Sequence, residues 1–352
     1  MEQGSEDWTA PGAFPVADGV HRIPLPLPSD GLRAVNVYAL ETDDGLTLVD
    51  GGWAITEARE RLERSLALID HKVTDINRFL VTHMHRDHYT QAVALRRETG
   101  AHVTLGGGER ATLELLAERP EGAAADNAQA SRLRRAGAPE LAERWERAVS
   151  EHPPPTGDYE LPDSWLEGDV ALTVGERTLD AVATPGHTRG HYVFADAAAG
   201  LLFAGDHVLP SITPSIGFEP AVAALPLRDF LSSLAKVRAL PDLTLLPAHG
   251  AVAGSTHARI DELVAHHDVR LDLCEAAVLA GAGTAYEVAA RLPWTRRDRA
   301  LGELDVFNAM LATLETMAHL DLLVATGRLV GDGPDGTDAT DGGLLRYAPP
   351  AS

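Results

Sequence analysis

The 352-residue sequence predicts an α/β protein of layered sheets and helices, and three observations carry that expectation. Strand-like and helical stretches alternate between residues 35 and 106. Five short apolar runs then recur between residues 169 and 250, and several stop at small residues beside a His or Asp. Beyond Gly254 the composition turns helical, and a hydrophobic content of 45% is enough for a sizeable core.

Taken in order, residues 1–19 are acidic and broken by Pro and Gly, so an N-terminal tail without a secretory leader is expected. Residues 35–50, "VNVYALETDDGLTLVD", read as two strands joined at Asp43-Asp44-Gly45, a hairpin signal. Residues 55–70 read as a helix with Ile55, Leu62, Leu66 and Ile69 on one stripe. A strand, "RFLVTH", follows, then a helix, "YTQAVALRRETG", stopped by Gly100, then a strand, "AHVTLGG".

Residues 109–152 break this rhythm with two charged amphipathic helical stretches separated by "RPEGAAADN" and closed by "HPPP". They are expected to form an insertion beside the core, serving as a lid over a pocket or as plain covering helices. The later strands are "DVALTVG", "RTLDAVATPGH", "HYVFAD", "GLLFAGDH" and "LTLLPAHG". Residues 20–255 are therefore expected to form the catalytic domain. Residues 256–352, with three helical stretches and a Gly/Asp-rich hairpin, suggest a small winged-helix-like module.

Charge narrows the partners. With 52 acidic against 30 basic residues the formal charge is -22, a field that repels nucleic acid and anionic membrane and favours a small-molecule substrate. Residues 251–352 alone carry 8 basic and 15 acidic residues, so packing or homodimerisation is expected of that module rather than DNA binding. The single cysteine, Cys274, excludes an internal disulfide and reads as a small buried side chain in a reducing cytoplasm. No apolar run reaches transmembrane length.

The chemistry is concentrated in "LVTHMHRDHYTQA", residues 80–92. In an extended segment alternate side chains share a side, so His83 and His85 can face one cation. Asp87 and His88 sit where the chain turns into the next helix and can face a second. Three later strand ends offer partners: His187 in "TPGHTRGH", Asp206 in "FAGDH" and His249 in "LPAHG". Gly186, Gly205 and Gly250 beside them allow the sharp turns that bring a strand-tip ligand to a shared centre.

This pattern resembles the metallo-β-lactamase-fold hydrolases, whose signature is H-x-H-x-D-H followed by His, Asp and His at successive strand ends. The resemblance spans about residues 20–255 and implies an αββα sandwich. It implies that His83, His85 and His187 bind one metal, that Asp87, His88 and His249 bind a second, and that Asp206 bridges. It also makes Asp50, in "LTLVDGG", similar to the family's carboxylate beside the metals. Imidazole and carboxylate donors without thiolate suit two Zn²⁺, with Fe or Mn as the other candidates. A water held between two such cations becomes a hydroxide near neutral pH and can attack an acyl or phosphorus centre, with Asp87 placed to shuttle a proton to the leaving group. Trp53, Tyr89, Ser211 and Thr213 lie beside the motif loops and are candidate pocket residues. His191, His207, His266 and His267 are read as supporting, surface or helix residues.

The family leaves the substrate open. His85 stands where flavodiiron relatives have Glu, and "GDHVLPSITPSIGFEP" lacks the Cys-Gly-Arg pattern of glyoxalase II and persulfide dioxygenases, which disfavours both. The C-terminal helices are similar to those of the subgroup that includes the human β-lactamase-like endoribonuclease, yet the acidic charge argues against a phosphate track. The expectation is a dinuclear zinc hydrolase of an ester, thioester or lactone. The alternatives are a phosphodiesterase, a glyoxalase II-like or persulfide dioxygenase-like enzyme, and a non-enzymatic metal-binding sensor or scaffold.

Overall fold

The computed structural model describes residues 7–28, 31–117, 128–151, 159–295, 297–331 and 343–351. The first sheet has seven strands: β1 (Phe14–Ala17), β2 (Val20–Pro26), β3 (Ala34–Thr42), β4 (Gly45–Val49), β5 (Ile76–Leu80), β6 (His102–Gly106) and β7 (Ser164–Leu166), in that spatial order. β3 and β4 pair antiparallel with Thr42 opposite Gly45, so the hairpin turns where Asp43-Asp44 predicted it. The second sheet contains β8 (Val170–Val174), β9 (Arg177–Ala183), β10 (Tyr192–Asp196), β11 (Leu201–Gly205) and β12 (Thr244–Pro247), in spatial order from β12 to β8.

Strict alternation along the strands makes the two sheets a sandwich. Val35, Val37 and Ala39 of β3 join the core under α1 (Thr56–Ala67) and α2 (Arg86–Thr99), while Tyr38 and Leu40 face the other way. Phe194 of β10 and Phe203 of β11 meet Tyr38 and Leu40 between the sheets, whereas Val193, Ala195, Leu202 and Ala204 pack outward. The layers are thus αββα. Gly100, at φ 76°, stops α2 as the sequence predicts, but the helix starts at Arg86 and so takes Asp87 and His88 into its first turn.

The described residues of 109–151 form three helices where the sequence suggests two: α3 (Arg110–Ala117), α4 (Ala128–Arg135) and α5 (Pro139–Glu151). Gly137, at φ 86°, and Pro139 break what reads as one amphipathic run. The "RPEGAAADN" and "HPPP" stretches lie outside the described residues. Missing from the sequence reading is α6 (Pro226–Arg238), which opens on a proline and buries Leu227, Phe230, Leu234 and Val237. The edge strand β1 also forms within the expected tail.

The C-terminal segment supplies α7 (Thr256–Leu279), α8 (Ala285–Ala289) and α9 (Val306–Ala325), capped by Ser255, Thr284 and Asp305. Two short strands, β13 (Val330–Gly331) and β14 (Tyr347–Ala348), pair antiparallel, and the tip of the expected hairpin lies outside the described residues. Met310, Leu314 and Leu320 of α9 share one core with Leu133 of α4, Leu141 of α5 and the outward face of the second sheet. No helix among the described residues is long and apolar enough to cross a membrane.

Candidate metal centre

The seven candidate ligands converge at one end of the sandwich. β5 ends at Leu80 and delivers His83 and His85, and the first turn of α2 delivers Asp87 and His88. The turn between β9 and β10 brings His187, the end of β11 brings Asp206, and the end of β12 brings His249. Gly186, Gly205 and Gly250 have φ of 143°, 50° and 107°, conformations that a side chain at these turns would oppose.

The donor atoms form two groups, His83, His85, His187 and Asp206 in one and Asp87, His88 and His249 in the other. In the first, His83 Nε2 and His187 Nε2 lie 2.9 and 3.1 Å from His85 Nδ1, and His187 Nε2 is 3.5 Å from Asp206 Oδ2. In the second, His249 Nε2 lies 3.4 Å from Asp87 Oδ2, and His88 Nε2 is 3.7 Å from the same oxygen. Asp206 Oδ1 completes that group, 3.4 Å from His249 Nε2 and 3.7 Å from His88 Nε2. The two oxygens of Asp206 therefore face the two groups. Donors about 3.3 Å apart are what a tetrahedral shell with bonds of about 2.0 Å requires.

Buried polar atoms without partners test the fit. His88 Nε2, His249 Nε2 and Asp206 Oδ1 are buried and have no hydrogen-bond partner among the described residues, an arrangement that a cation between them would satisfy. The opposite ring nitrogens are anchored. His83 Nδ1 is 3.1 Å from Thr82 Oγ1, and His88 Nδ1 is 2.9 Å from Asp50 Oδ2. His187 Nδ1 donates to the Ser215 carbonyl and His249 Nδ1 to the Ala34 carbonyl, each at 2.8 Å. These contacts fix each ring with its Nε2 lone pair toward the centre.

Protonation divides the groups. Burial, then the neighbouring imidazoles, pushes His83 well below its ordinary range, and burial with His187 takes His85 down to about 3, so both are neutral donors. His88 is raised to about 10 because Asp50, Asp87 and Asp206 outweigh its burial. His249 is raised because Asp206 and Asp87 together outweigh its own burial. Three carboxylates around two imidazoles call for positive charge, which a divalent cation supplies in place of protons.

Asp50 sits at φ 63°, and its Oδ1 accepts from the Thr82 amide at 2.8 Å and from the Thr82 hydroxyl at 3.0 Å. Tyr89, one helical step beyond His88, is instead fully buried in the core under the first sheet and donates its hydroxyl to the Glu160 carbonyl. Trp53 is half-buried with the Arg86 guanidinium 4.3 Å from its ring centre. On the loop after β11, Ser211 is exposed and Thr213 half-buried, and the residue whose carbonyl meets a ligand is Ser215.

Sequence reasoning missed Thr82, Ser215, Glu109 and Glu219. Glu109 and Glu219 are buried beside the His187 turn, where desolvation raises them to about 7 and about 8. His191 stacks on His83 with ring centres 5.1 Å apart, and its Nε2 accepts from the Asp206 amide at 3.1 Å. His207 is buried nearby, and His267 pairs with His319 at 3.1 Å away from the centre.

The sequence model of the metallo-beta-lactamase superfamily matches residues 30–249. The chain belongs to the metallo-β-lactamase superfamily. Among its relatives, the probable metallo-hydrolase YqjP of Bacillus subtilis is 27% identical over 327 residues, covering 86% of this chain and 91% of that protein. A metallo-beta-lactamase family protein of Thermus thermophilus superposes with a TM-score of 0.74 at 29% identity, covering 95% of this chain and all of that one. A hydroxyacylglutathione hydrolase of Bartonella henselae is 38% identical over 84 residues, which is 24% of this chain and 31% of that enzyme. The match spans about a third (32%) of the lactamase-like protein nscB of Neosartorya fischeri and of the beta-lactamase-like protein 2 homolog of Caenorhabditis elegans. The chain thus carries the superfamily's fold around a His/Asp cluster able to hold metal, and YqjP, which it matches over most of both lengths, is a probable metallo-hydrolase.

Proposed function

We propose that the protein is a dinuclear zinc hydrolase of a small acyl substrate, an ester, thioester or lactone. The observation that carries this reading is the pair of donor groups sharing Asp206, one oxygen to each. In it, His83, His85, His187 and Asp206 would hold the first ion, and Asp87, His88, His249 and Asp206 the second. Two bound zinc ions would supply an activated water and polarise the acyl carbonyl. The chain's own residues then orient and neutralise. Anchored Nδ1 atoms keep His83, His88, His187 and His249 in place, and burial limits bulk water around the reacting atoms. Asp87, whose Oδ2 lies 3.4 Å from His249 Nε2 and 3.7 Å from His88 Nε2, would be placed to take the water proton and pass it to the leaving oxygen or sulfur as the acyl bond breaks.

An acyl group fits the surroundings better than a phosphodiester. The Phe218 ring lies 6.1 Å from His85, Phe307 lies 5.7 Å from Phe218, and Trp145 lies 6.2 Å from Phe307, so an aromatic row runs outward from the ligands. Phe307 is 46% exposed, leaving apolar surface for a substrate chain. A net charge of -22 opposes a polyanion. The partial likeness to hydroxyacylglutathione hydrolase supports a thioester among the three. In the C-terminal segment the acidic balance supports packing or self-association rather than nucleic-acid binding. Turnover of p-nitrophenyl esters, acyl thioesters and lactones should exceed that of bis-p-nitrophenyl phosphate and single-stranded RNA by at least about 100-fold in kcat/KM, or about 2.7 kcal/mol. Faster phosphodiester cleavage would overturn the proposal.

A further inference from the structure

Between β6 and α3 the chain reads Gly106-Gly107-Gly108-Glu109, and this stretch lies directly against the turn that follows His187. A Cβ on Gly106 would stand 1.9 Å from the Gly190 carbonyl oxygen, and one on Gly108 would stand 2.4 Å from that of Arg189. On the other side, a Cβ on Gly190 would stand 2.4 Å from Glu109 Cγ. Such separations leave no room for any side chain, so the glycines serve close backbone approach between the two sheets. The seam puts Glu109, fully buried, between loops that carry ligands from different sheets.

The contacts of Glu109 are specific. Its Oε1 accepts from the Thr188 hydroxyl at 2.5 Å, one residue beyond His187. Its Oε2 is buried with no hydrogen-bond partner among the described residues, and the nearby amides of Met84 and Gly190 favour its charged form. Met84 lies between His83 and His85. Glu219 steadies the same turn by accepting from the Arg189 amide at 3.2 Å. Every one of these contacts belongs to the His83, His85, His187 side of the centre, while the Asp87, His88, His249 side is braced by Asp50 and the Ala34 carbonyl.

We infer that Glu109 is a positioning residue that pins the turn bearing His187 against the glycine seam after β6, and so sets the affinity of the first metal position alone. This rests on the two-ion reading above. It touches neither substrate nor reacting atoms.

The test is a cobalt titration of the full chain with chelator competition, which yields two stepwise dissociation constants and the visible absorption of each occupied position. His187→Ala and His249→Ala identify which step belongs to which group. Removing a residue that braces metal ligands typically weakens metal binding about 10- to 100-fold. Glu109→Ala is expected to do so for the first position, with the second unchanged within about threefold. Asp50→Asn is expected to weaken the second position more than the first, because Asp50 meets His88 directly and His83 only through Thr82. Thr188→Val should weaken the first position about three- to tenfold, and Thr188→Ser, which keeps the hydroxyl, should restore it within about twofold. That pair carries the test if Glu109→Ala does not fold. Equal weakening of both positions, or a lower Tm with both constants unchanged, would overturn the inference. Wild-type protein that takes up no metal would overturn the proposed function as well, whereas two-ion uptake insensitive to Glu109 and Thr188 would overturn this inference only.

Discussion

Asp50→Asn probes how the second group of ligands is held. Asp50 Oδ2 takes the His88 Nδ1 proton at 2.9 Å while Oδ1 takes the Thr82 amide at 2.8 Å, and both carboxylate and imidazole are buried. An amide of the same size offers one acceptor and one donor. With its oxygen kept on Thr82, its NH₂ meets His88 Nδ1, which must then accept. The imidazole proton moves to Nε2, the atom that faces Asp87 and Asp206. With the amide turned over, its NH₂ opposes the Thr82 N–H and a buried donor goes unpaired. Either arrangement costs about 1–3 kcal/mol, which is about 5- to 150-fold in an equilibrium constant. Asn tolerates the left-handed backbone at φ 63° as Asp does, so backbone strain adds little. Zinc or cobalt affinity by chelator competition, with turnover at graded metal concentrations, should show the second dissociation constant raised within that range and activity partly recovered by excess metal. Unchanged affinity in a folded variant would refute the reasoning.

Removing metal with a chelator should abolish hydrolysis and lower Tm in a metal-concentration-dependent way, because the buried imidazoles and carboxylates lose the cations that offset their desolvation; an unchanged Tm would count against a fitted site. Asp87→Asn should depress turnover more than it depresses metal content measured by elemental analysis, whereas equal loss of both would reduce Asp87 to ligation. Phe203→Ala should cost about 3–5 kcal/mol in urea denaturation, because the ring is 1% exposed between the sheets and packs edge-on to Tyr38 at 5.3 Å; a loss below about 1 kcal/mol would show that the sandwich interior repacks freely.

The ligands were legible because their chemistry is unusual and their placement repeats: each of His187, Asp206 and His249 follows an apolar strand and touches a glycine. The braces were not legible, because their contacts cross long stretches of chain or use backbone atoms. Ser215 and Ala34 act through carbonyls that any residue carries, and Glu109 reads as the first charge of an amphipathic helix. Nearness in sequence misled at Tyr89. One step along a helix turns a side chain by about 100°, enough to carry it from the ligand face into the core. Helix α6 was overlooked because "PLRDFLSSLAKVR" follows a loop rich in Pro and Gly, although its apolar residues at 227, 230, 234 and 237 have helical spacing.

The division of ligands between sheets gives the insertion and the C-terminal helices a role in the site without requiring them to touch metal. β5 and α2 hold four ligands, and the ends of β9, β11 and β12 region loops hold three, so the centre exists only while the two sheets keep their relative position. The inner faces set that position through Tyr38, Phe194 and Phe203. From outside, Gln129 and Arg132 of α4 donate to the carbonyls of Phe218 and Gly217, on the loop whose Ser215 carbonyl anchors His187. Helix α4 is itself packed in one core with α9. Leu314→Ala in the α9 core is therefore expected to weaken cobalt binding at the first metal position, through α4 and the Ser215 loop, more than at the second, whose Asp50 and Ala34 braces lie on the other sheet; equal weakening of both in chelator competition would refute this path.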